Sequence, residues 1–183
     1  MKLPIYAYGH PILKRVAEPV SQNNEELQTL IENMWETMYH ASGVGLAAPQ
    51  IGVSQRLFIV DTIQIMEEDN KEKGIKQVFI NAVKIEDIGD EFAYEEGCLS
   101  IPDVRADVNR QRRVKLRYLD ENFEEHTREF DGTNARVIQH EYDHLEGVLF
   151  IEKINPLKRN MLRRKLDKIR KGNVKVDYDM EFK

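Results

Sequence analysis

The sequence contains few of the features that mark a secreted or membrane-bound protein. Its only cysteine is Cys98, which excludes an internal disulfide and suits a reducing compartment. No apolar run approaches the roughly 20 residues that a membrane helix needs. The N-terminus, "MKLPIYAYGHPILKRV", has no uninterrupted apolar stretch of signal-peptide length. We therefore predict a cytoplasmic protein that does not contact a membrane.

Internal repeats and low-complexity linkers are also missing. The composition, 41% hydrophobic and 32% charged residues, is typical of a folded chain. A length of 183 residues is sufficient for one domain with a continuous core, and we predict a single domain over residues 1–183. The net charge of -5 is unevenly distributed, because residues 156–171 contain eight basic side chains against Asp167 alone. Such a basic segment indicates an anionic partner or a solvated helix face.

Hydrophobic periodicity predicts the first elements of the fold. Apolar residues at helical spacing indicate a helix that begins at Asn23 or Asn24 and ends near His40. The segment "SGVGLAAPQIG" contains three glycines and a proline and is expected to form a shaped loop. Residues 56–61, "RLFIVD", follow as a buried strand, and "IMEEDNKEKG" is expected to be an exposed turn.

The second half of the chain predicts a sheet and two further helices. Residues 77–130 form several short, often alternating β segments parted by turn residues. Asp131 or Thr133 would cap a helix that ends at Gly147, and a basic helix would cover residues 156–171. The expected fold is α+β, with mostly antiparallel sheets packed around a central helix, an N-terminal helix and a C-terminal helix.

The predicted central helix contains "QHEYDHLEG", residues 139–147, and thus the H-E-x-x-H pattern of metal hydrolases. Four residues make about 400° of helical rotation, so His140 and His144 project from one face and can bind one divalent ion. Such an ion lowers the pKa of bound water from about 16 to about 7, and Glu141 is near enough to take the proton. The alternative is a chance match. The apolar surroundings of the motif favour a metal site, because unpaired polar groups are costly to bury there.

A helix of this kind supplies two ligands, and a working site needs a third. In the zinc proteases that use this helix the third ligand lies downstream, where this chain has no histidine and offers only Glu152. Upstream, "EEGCLSIP" offers Cys98, whose alternative role is that of a small buried hydrophobic residue. A thiolate would complete a Cys-His-His set and leave a fourth position for water.

Three segments together resemble the peptide deformylases. They are "GVGLAAPQ" (43–50), "EEGCLS" (95–100) and "QHEYDHLEG", in the order found in that family, and the similarity extends over nearly the whole chain. Within the family, the chain resembles the bacterial form with a C-terminal helix. The resemblance implies a hydrolase that removes the formyl group from the N-terminal formylmethionine of new polypeptides and releases formate. It also implies one metal ion per chain, commonly Fe²⁺, with Zn²⁺, Ni²⁺ or Co²⁺ as replacements.

The resemblance implies roles for individual residues. The metal ligands would be Cys98, His140 and His144. Glu141 would be the general base and acid, while the Gln50 side-chain amide and the Leu99 N–H would hold the oxyanion. The residues expected near the substrate are Gly43, Val44, Gly45, Glu96, Gly97, Arg105, Arg136 and Val137. Arg136 stands where family members more often have an apolar residue.

Further polar residues are expected to support the site. Glu96 and Arg110 are expected to form a buried pair that supports the Cys98 segment, and Asp143 is either a further support or a surface carboxylate.

Two other functions are compatible with parts of the sequence. A metalloprotease with a downstream third ligand is the alternative enzyme. A nucleic-acid-binding module centred on the basic helix is the alternative of another class, although no base-stacking aromatics accompany its charges. In a deformylase the same helix could dock on ribosomal RNA.

Overall fold

A five-stranded antiparallel sheet and a short two-stranded parallel sheet form the framework of the protein. The structure, a computed structural model, describes all 183 residues. The elements are β1 Ile5–Tyr6, α1 Glu25–His40, β2 Gly45–Ala47, β3 Leu57–Asp61, β4 Lys76–Cys98, β5 Ile101–Leu119, β6 Glu125–Asp131, α2 Gly132–Leu145, α3 Pro156–Met161, α4 Arg163–Arg170 and β7 Met180–Glu181. The expected α+β fold is confirmed. The order of the large sheet is β2-β3-β4-β5-β6, and β1 pairs with β7 in the small one.

Helix α1 begins and ends where its sequence pattern predicts. The Asn24 side chain accepts a hydrogen bond from the Leu27 N–H at 3.0 Å, which satisfies one of the free donors of the first turn. The apolar face includes Ile31, Met34 and Met38, which are at most 5% exposed and pack with strands β2 and β3 in one core cluster. Burial of each such side chain contributes about 1.5–3 kcal/mol to stability.

Strands β4 and β5 differ from the short segments that the sequence predicts, because they are 23 and 19 residues long. Two residue types that commonly form turns, at Asn81 and Gly89, lie within β4 at φ of 52° and 84°, next to shifts in the β4–β5 register. A β-bulge accommodates a turn-forming residue without ending the strand. The long hairpin therefore continues to its tip, where Cys98 is the last residue of β4.

Helix α2 contains the H-E-x-x-H motif and is buried on most of its surface. Its apolar residues Ala135, Ile138 and Leu145 pack against strand residues in the largest core cluster. Asp131 is the N-cap position, as predicted, but its side chain makes no capping hydrogen bond. Gly147 follows the helix at φ 69°, and a Cβ there would lie 2.6 Å from the Lys14 carbonyl oxygen. Only glycine fits this close approach without a shift of the backbone.

The C-terminal segment is more elaborate than the single helix that was expected. A turn at Leu162 divides it into α3 and α4, and Asn155 caps α3 through a hydrogen bond to the Leu157 N–H. Leu166 and Ile169 of α4 are buried against β5, so this helix belongs to the core as well as to the surface. The chain then returns to β1 through β7, a strand that was not predicted. No helix is both long and apolar enough to cross a bilayer.

Candidate metal centre

The three predicted metal ligands lie together although they are distant in sequence. Cys98 comes from the end of β4, and His140 and His144 come from adjacent turns of α2. Their donor atoms all lie within 4.8 Å of one another, and Cys98 Sγ is 3.5 Å from His144 Nε2. One thiol and two imidazoles are donors typical of zinc and iron sites.

The surroundings of the histidines fit a metal ion. His140 Nδ1 lies 2.9 Å from Glu96 Oε1, a contact that orients the ring and leaves Nε2 for the ion. Burial lowers the pKa of His144 well below its usual value, which favours the neutral imidazole that a metal requires. For His140 burial acts in the same direction, but the contacts with Cys98 and Glu96 raise its pKa. A metal ion at the cluster would compete with a proton for His140.

A buried ionic network connects Glu96 to both sides of the site. Arg110 donates to the two Glu96 oxygens at 2.7 and 3.0 Å and to Asp143 Oδ2 at 2.8 Å. Arg136 Nη1 donates to Glu96 Oε2 at 3.0 Å. Burial opposes ionisation of Glu96, but the hydrogen bonds from His140 and Arg110 hold its pKa well below the usual range. Asp143 is therefore part of a buried network and not a surface carboxylate.

Glu141, which follows His140 in the sequence, is a buried carboxylate. It is 4% exposed, and its Oε2 has no hydrogen-bond partner in the protein. Burial raises the pKa of Glu141 to about 7, so that both protonation states are accessible near neutral pH. A Cβ on Gly45 would lie 2.5 Å from Glu141 Oε1, and only a glycine leaves space for the carboxylate.

Gln50 and Leu99 present hydrogen-bond donors next to Cys98. The Gln50 side-chain oxygen accepts from the Ala47 N–H at 2.9 Å, which orients its amide nitrogen toward Cys98 Sγ at 3.4 Å and Ser100 Oγ at 3.2 Å. The Leu99 N–H donates to no other group of the chain. Its carbonyl oxygen accepts a hydrogen bond from the Tyr178 hydroxyl at 2.7 Å.

These residues border a cavity of about 770 Å³. All eight residues expected near the substrate line it: Gly43, Val44, Gly45, Glu96, Gly97, Arg105, Arg136 and Val137. Arg105 is exposed and pairs with Glu95 at 2.9 Å. Arg136 is instead buried in the wall, where it binds Glu96 and the carbonyl oxygens of Val108 and Phe92. His144 is 1% exposed and is not part of the cavity lining.

Sequence reasoning missed one wall of this cavity. Lys175, Val176, Asp177 and Tyr178 line it, although they follow the last predicted helix. The signal was present in "VKVDYDMEF", where apolar residues alternate with charged ones. Such alternation is typical of an extended segment with one buried side.

The fold and the donor set define a class of protein. An α+β framework with a Cys-His-His cluster on an H-E-x-x-H helix, next to a buried carboxylate and an open cavity, is typical of a metal-dependent hydrolase. The sequence model of the family described as Polypeptide deformylase matches residues 2–160 of the chain. The chain belongs to this family of metal-dependent enzymes, which hydrolyse the formyl amide and so remove the N-formyl group from nascent peptides.

Individual relatives cover the whole chain. Peptide deformylase from Christiangramia forsetii is 49% identical over 189 residues, 100% of this chain and 96% of that protein. Peptide deformylase from Cytophaga hutchinsonii is 48% identical over 182 residues, 100% of this chain and 98% of that protein. The crystal structure of a peptide deformylase from Legionella pneumophila has a TM-score of 0.83 at 39% identity and covers 94% of this chain and 98% of its own. A Synechococcus elongatus peptide deformylase in complex with actinonin has a TM-score of 0.79 at 39% identity, over 89% and 85% of the two chains.

Proposed function

We propose that Cys98, His140 and His144 hold the metal ion of this deformylase, while Glu141, Gln50 and Leu99 act on the formyl amide. One observation supports this assignment above the others. Three soft or nitrogen donors within 4.8 Å of one another lie beside a buried carboxylate whose Oε2 has no partner. Cys98, His140 and Glu141 line a cavity that can admit the end of a peptide.

In this proposal Glu141 transfers the proton. A divalent ion at the Cys-His-His cluster supplies a Lewis acid and an activated water when bound. The Glu141 carboxylate takes a proton from the attacking water and returns it to the leaving amine. Burial, which raises the pKa of Glu141 to about 7, suits a group that must hold and release a proton in one cycle.

Gln50 and Leu99 stabilise the oxyanion that develops on the formyl oxygen. The Gln50 amide is oriented before reaction by the Ala47 N–H, and the Leu99 N–H has no competing acceptor in the chain. Donors that are positioned in advance cost little reorganisation when charge develops. Loss of one such donor typically raises the barrier by about 3–4 kcal/mol.

The backbone of the formylated peptide is proposed to lie along β2. This strand is at the edge of the large sheet and pairs only with β3, so its other edge is open to an extended peptide. Gly43, Val44 and Gly45 would pair with the peptide backbone, and Glu96, Gly97, Arg105, Arg136 and Val137 would surround the first side chain. The Arg136 guanidinium lies over the Phe92 ring, 4.6 Å from its centroid, which fixes this part of the wall.

We propose Fe²⁺ as the native ion, with Zn²⁺, Ni²⁺ or Co²⁺ as possible replacements. A thiolate ligand and two imidazoles suit ferrous iron, and a ferrous thiolate site is sensitive to oxygen. Protein purified anaerobically should contain about one iron per chain by elemental analysis and should release formate from formyl-Met peptides. Air exposure should abolish this activity. Unchanged activity with iron still bound after air exposure would contradict the proposed metal.

Replacement of the proposed thiolate ligand separates this function from a metalloprotease. We expect Cys98→Ala to lose both the bound metal and formate release, because two histidines alone bind the ion weakly. Elemental analysis and a formate assay measure the two effects. A protease with a downstream ligand would retain both its metal and the cleavage of internal peptide bonds, and that result would refute the assignment of Cys98.

The basic helices α3 and α4 are proposed to dock on ribosomal RNA. Arg163 and Arg164 are exposed and form no ion pair in the structure. Removal of the whole segment would be a poor test, since Leu166 and Ile169 are buried in the core. Charge reversal of the two arginines is therefore preferable.

We expect Arg163→Glu with Arg164→Glu to reduce co-sedimentation with ribosomes at low salt, because phosphate contacts dominate such binding. Lys71→Glu with Lys73→Glu makes the same change of charge on an exposed segment outside these helices and should have a smaller effect. Equal binding by both variants would rule out docking through this surface.

The location and extent of the functional unit are also proposals. Nascent formylated chains are made in the cytoplasm, which supports a cytoplasmic enzyme. Pairing of β1 with β7 joins the two ends of residues 1–183, and this contact supports one catalytic domain.

A further inference from the structure

The C-terminal tail, residues 173–183, lies against the catalytic cavity although the family match ends at residue 160. Gly172, at φ 75°, reverses the chain after α4, and the Asn173 N–H donates to the Lys168 carbonyl oxygen at 2.8 Å. The tail then passes the end of β4. Four of its residues, 175–178, line the cavity beside Cys98 and Leu99.

The tail is held in this position at several points. Val174, Met180 and Phe182 pack against the core cluster that α4 contributes to. The N–H groups of Ile5 and Ala7 donate to tail carbonyl oxygens at 2.9 and 2.8 Å, on either side of the β1–β7 pair. The Tyr178 hydroxyl donates to the Leu99 carbonyl oxygen at 2.7 Å. The tail is therefore tied to the residue whose N–H is proposed to hold the oxyanion.

The part of the tail next to the cavity has free backbone groups. No N–H or C=O of residues 174–178 takes part in a backbone hydrogen bond. The carbonyl oxygens of Asp179 and Glu181, in contrast, accept hydrogen bonds from the N–H groups of Ile5 and Ala7. Unpaired backbone groups at an edge are a template for an extended peptide. The side chains of Lys175 and Asp177 are exposed at the same place and form no ion pair.

We propose that this tail is a binding subsite for the part of the substrate that follows formylmethionine. Lys175 and Asp177 would face the downstream side chains of the peptide, and Tyr178 would be a positioning residue for Leu99. The proposed occupant is the formylated peptide itself, because the subsite continues the cavity in which its first residue is bound. The inference rests on the proposed function of that cavity.

Charge reversal at Asp177 tests the subsite. The substrates are formyl-Met-Ala-Lys-Lys-amide, formyl-Met-Ala-Glu-Glu-amide and the short formyl-Met-Ala-amide. At low salt, Asp177→Lys should lower the ratio of kcat/KM for the lysine peptide to that for the glutamate peptide by about two- to fivefold, mainly through KM. The matched control is Asp179→Lys, which makes the same change on an exposed tail residue outside the cavity lining and should leave the ratio unchanged.

The outcomes distinguish the subsite from the proposed function. An equal ratio in Asp177→Lys and the unmodified protein, or an equal change in both variants, would overturn the subsite while formate release continued. If the unmodified protein released formate from none of the three peptides, the proposed function would fail and the subsite with it.

Tyr178→Phe tests the positioning role. Removal of the hydroxyl should lower kcat on formyl-Met-Ala-amide on the order of three- to tenfold with little change in KM, because one hydrogen bond that positions Leu99 is lost. The control Tyr8→Phe removes a hydroxyl 3.2 Å from Arg170, next to the same core cluster but outside the cavity, and should leave kcat unchanged. A loss of thermal stability in Tyr178→Phe with unchanged kcat would show a purely structural role and contradict the proposal.

Discussion

At the scale of single residues, the site depends on glycines that leave space for other groups. A Cβ on Gly43 would lie 2.7 Å from Leu99 Cδ1, and one on Gly45 would lie 2.5 Å from Glu141 Oε1. Neither glycine has a positive φ, so glycine is needed at these positions because other groups approach closely and not because of the backbone conformation. The loop "GVGLAAPQ" thus allows β2 to approach the proposed general base.

Gly45→Ala should lower kcat on the order of 100-fold, because displacement of a catalytic group by about 1 Å can have an effect of this size. Metal content should stay near that of the unmodified protein, since the three atoms nearest to a Cβ on Gly45 all belong to Glu141. Formate release and elemental analysis measure the two properties. Gly132→Ala is the control: this position is at φ 59° with no atom within 4 Å of a Cβ, so stability should fall without loss of kcat. Normal kcat in Gly45→Ala would contradict the role of the close approach.

At the scale of elements, the β4–β5 hairpin and α2 are joined by charges as well as by apolar packing. Glu96 is on β4, Arg110 is on β5 and Asp143 is on α2, and all three side chains are nearly buried. A buried ion pair adds little net stability, but removal of one partner leaves an uncompensated charge. The network therefore couples the orientation of His140 to the register of the hairpin.

Glu96→Gln should weaken metal binding about 10- to 100-fold, because Glu96 orients His140. It should also lower the free energy of unfolding by about 3–5 kcal/mol, since Arg110 and Arg136 lose their buried partner. Competition with a chelator and denaturant unfolding measure these quantities. Glu95→Gln, which removes one partner of an exposed pair, should change both by little. Unchanged metal affinity and stability in Glu96→Gln would refute the supporting role.

At the scale of the whole molecule, a metal ion would link two distant parts of the chain. Cys98 belongs to the hairpin and the histidines belong to α2, so one bound ion would connect the sheet to the helix that packs on it. A ligand that binds only the folded state stabilises it by mass action, by about 4 kcal/mol at 1,000 times its dissociation constant.

Removal of the metal by a chelator should therefore lower the midpoint of thermal unfolding by roughly 10 °C for a chain of this length. Calorimetry of the protein before and after chelation measures the change. Cys98→Ala should show a much smaller response, because its metal is already lost. An equal response of both proteins to the chelator would mean that the effect does not come from this site.

Much of the fold and of the candidate site could be predicted because the signals are local. Helical spacing with the Asn24 cap located α1, and the fixed geometry of a helix placed His140 and His144 on one face. These relationships involve residues within one or two turns of each other, so the sequence contains all the information that they need. The pairing of Cys98 with the histidines is not local: the sequence offered Cys98 as one candidate for the third ligand, and the resemblance to a family favoured it over Glu152.

Only the tertiary structure shows that β4 continues through two residues of types that commonly form turns. Asn81 and Gly89 stay within β4, at shifts of its register, because β4 pairs with β5 both before and after each of them, which no local pattern records. The burial of Arg136 likewise depends on Glu96 and Phe92, which are about 40 residues away. The position of the tail depends on β1 at the opposite end of the chain. The sequence by itself thus determined the elements and the chemistry of the motif helix, whereas long-range pairing decided which side chains complete its cavity.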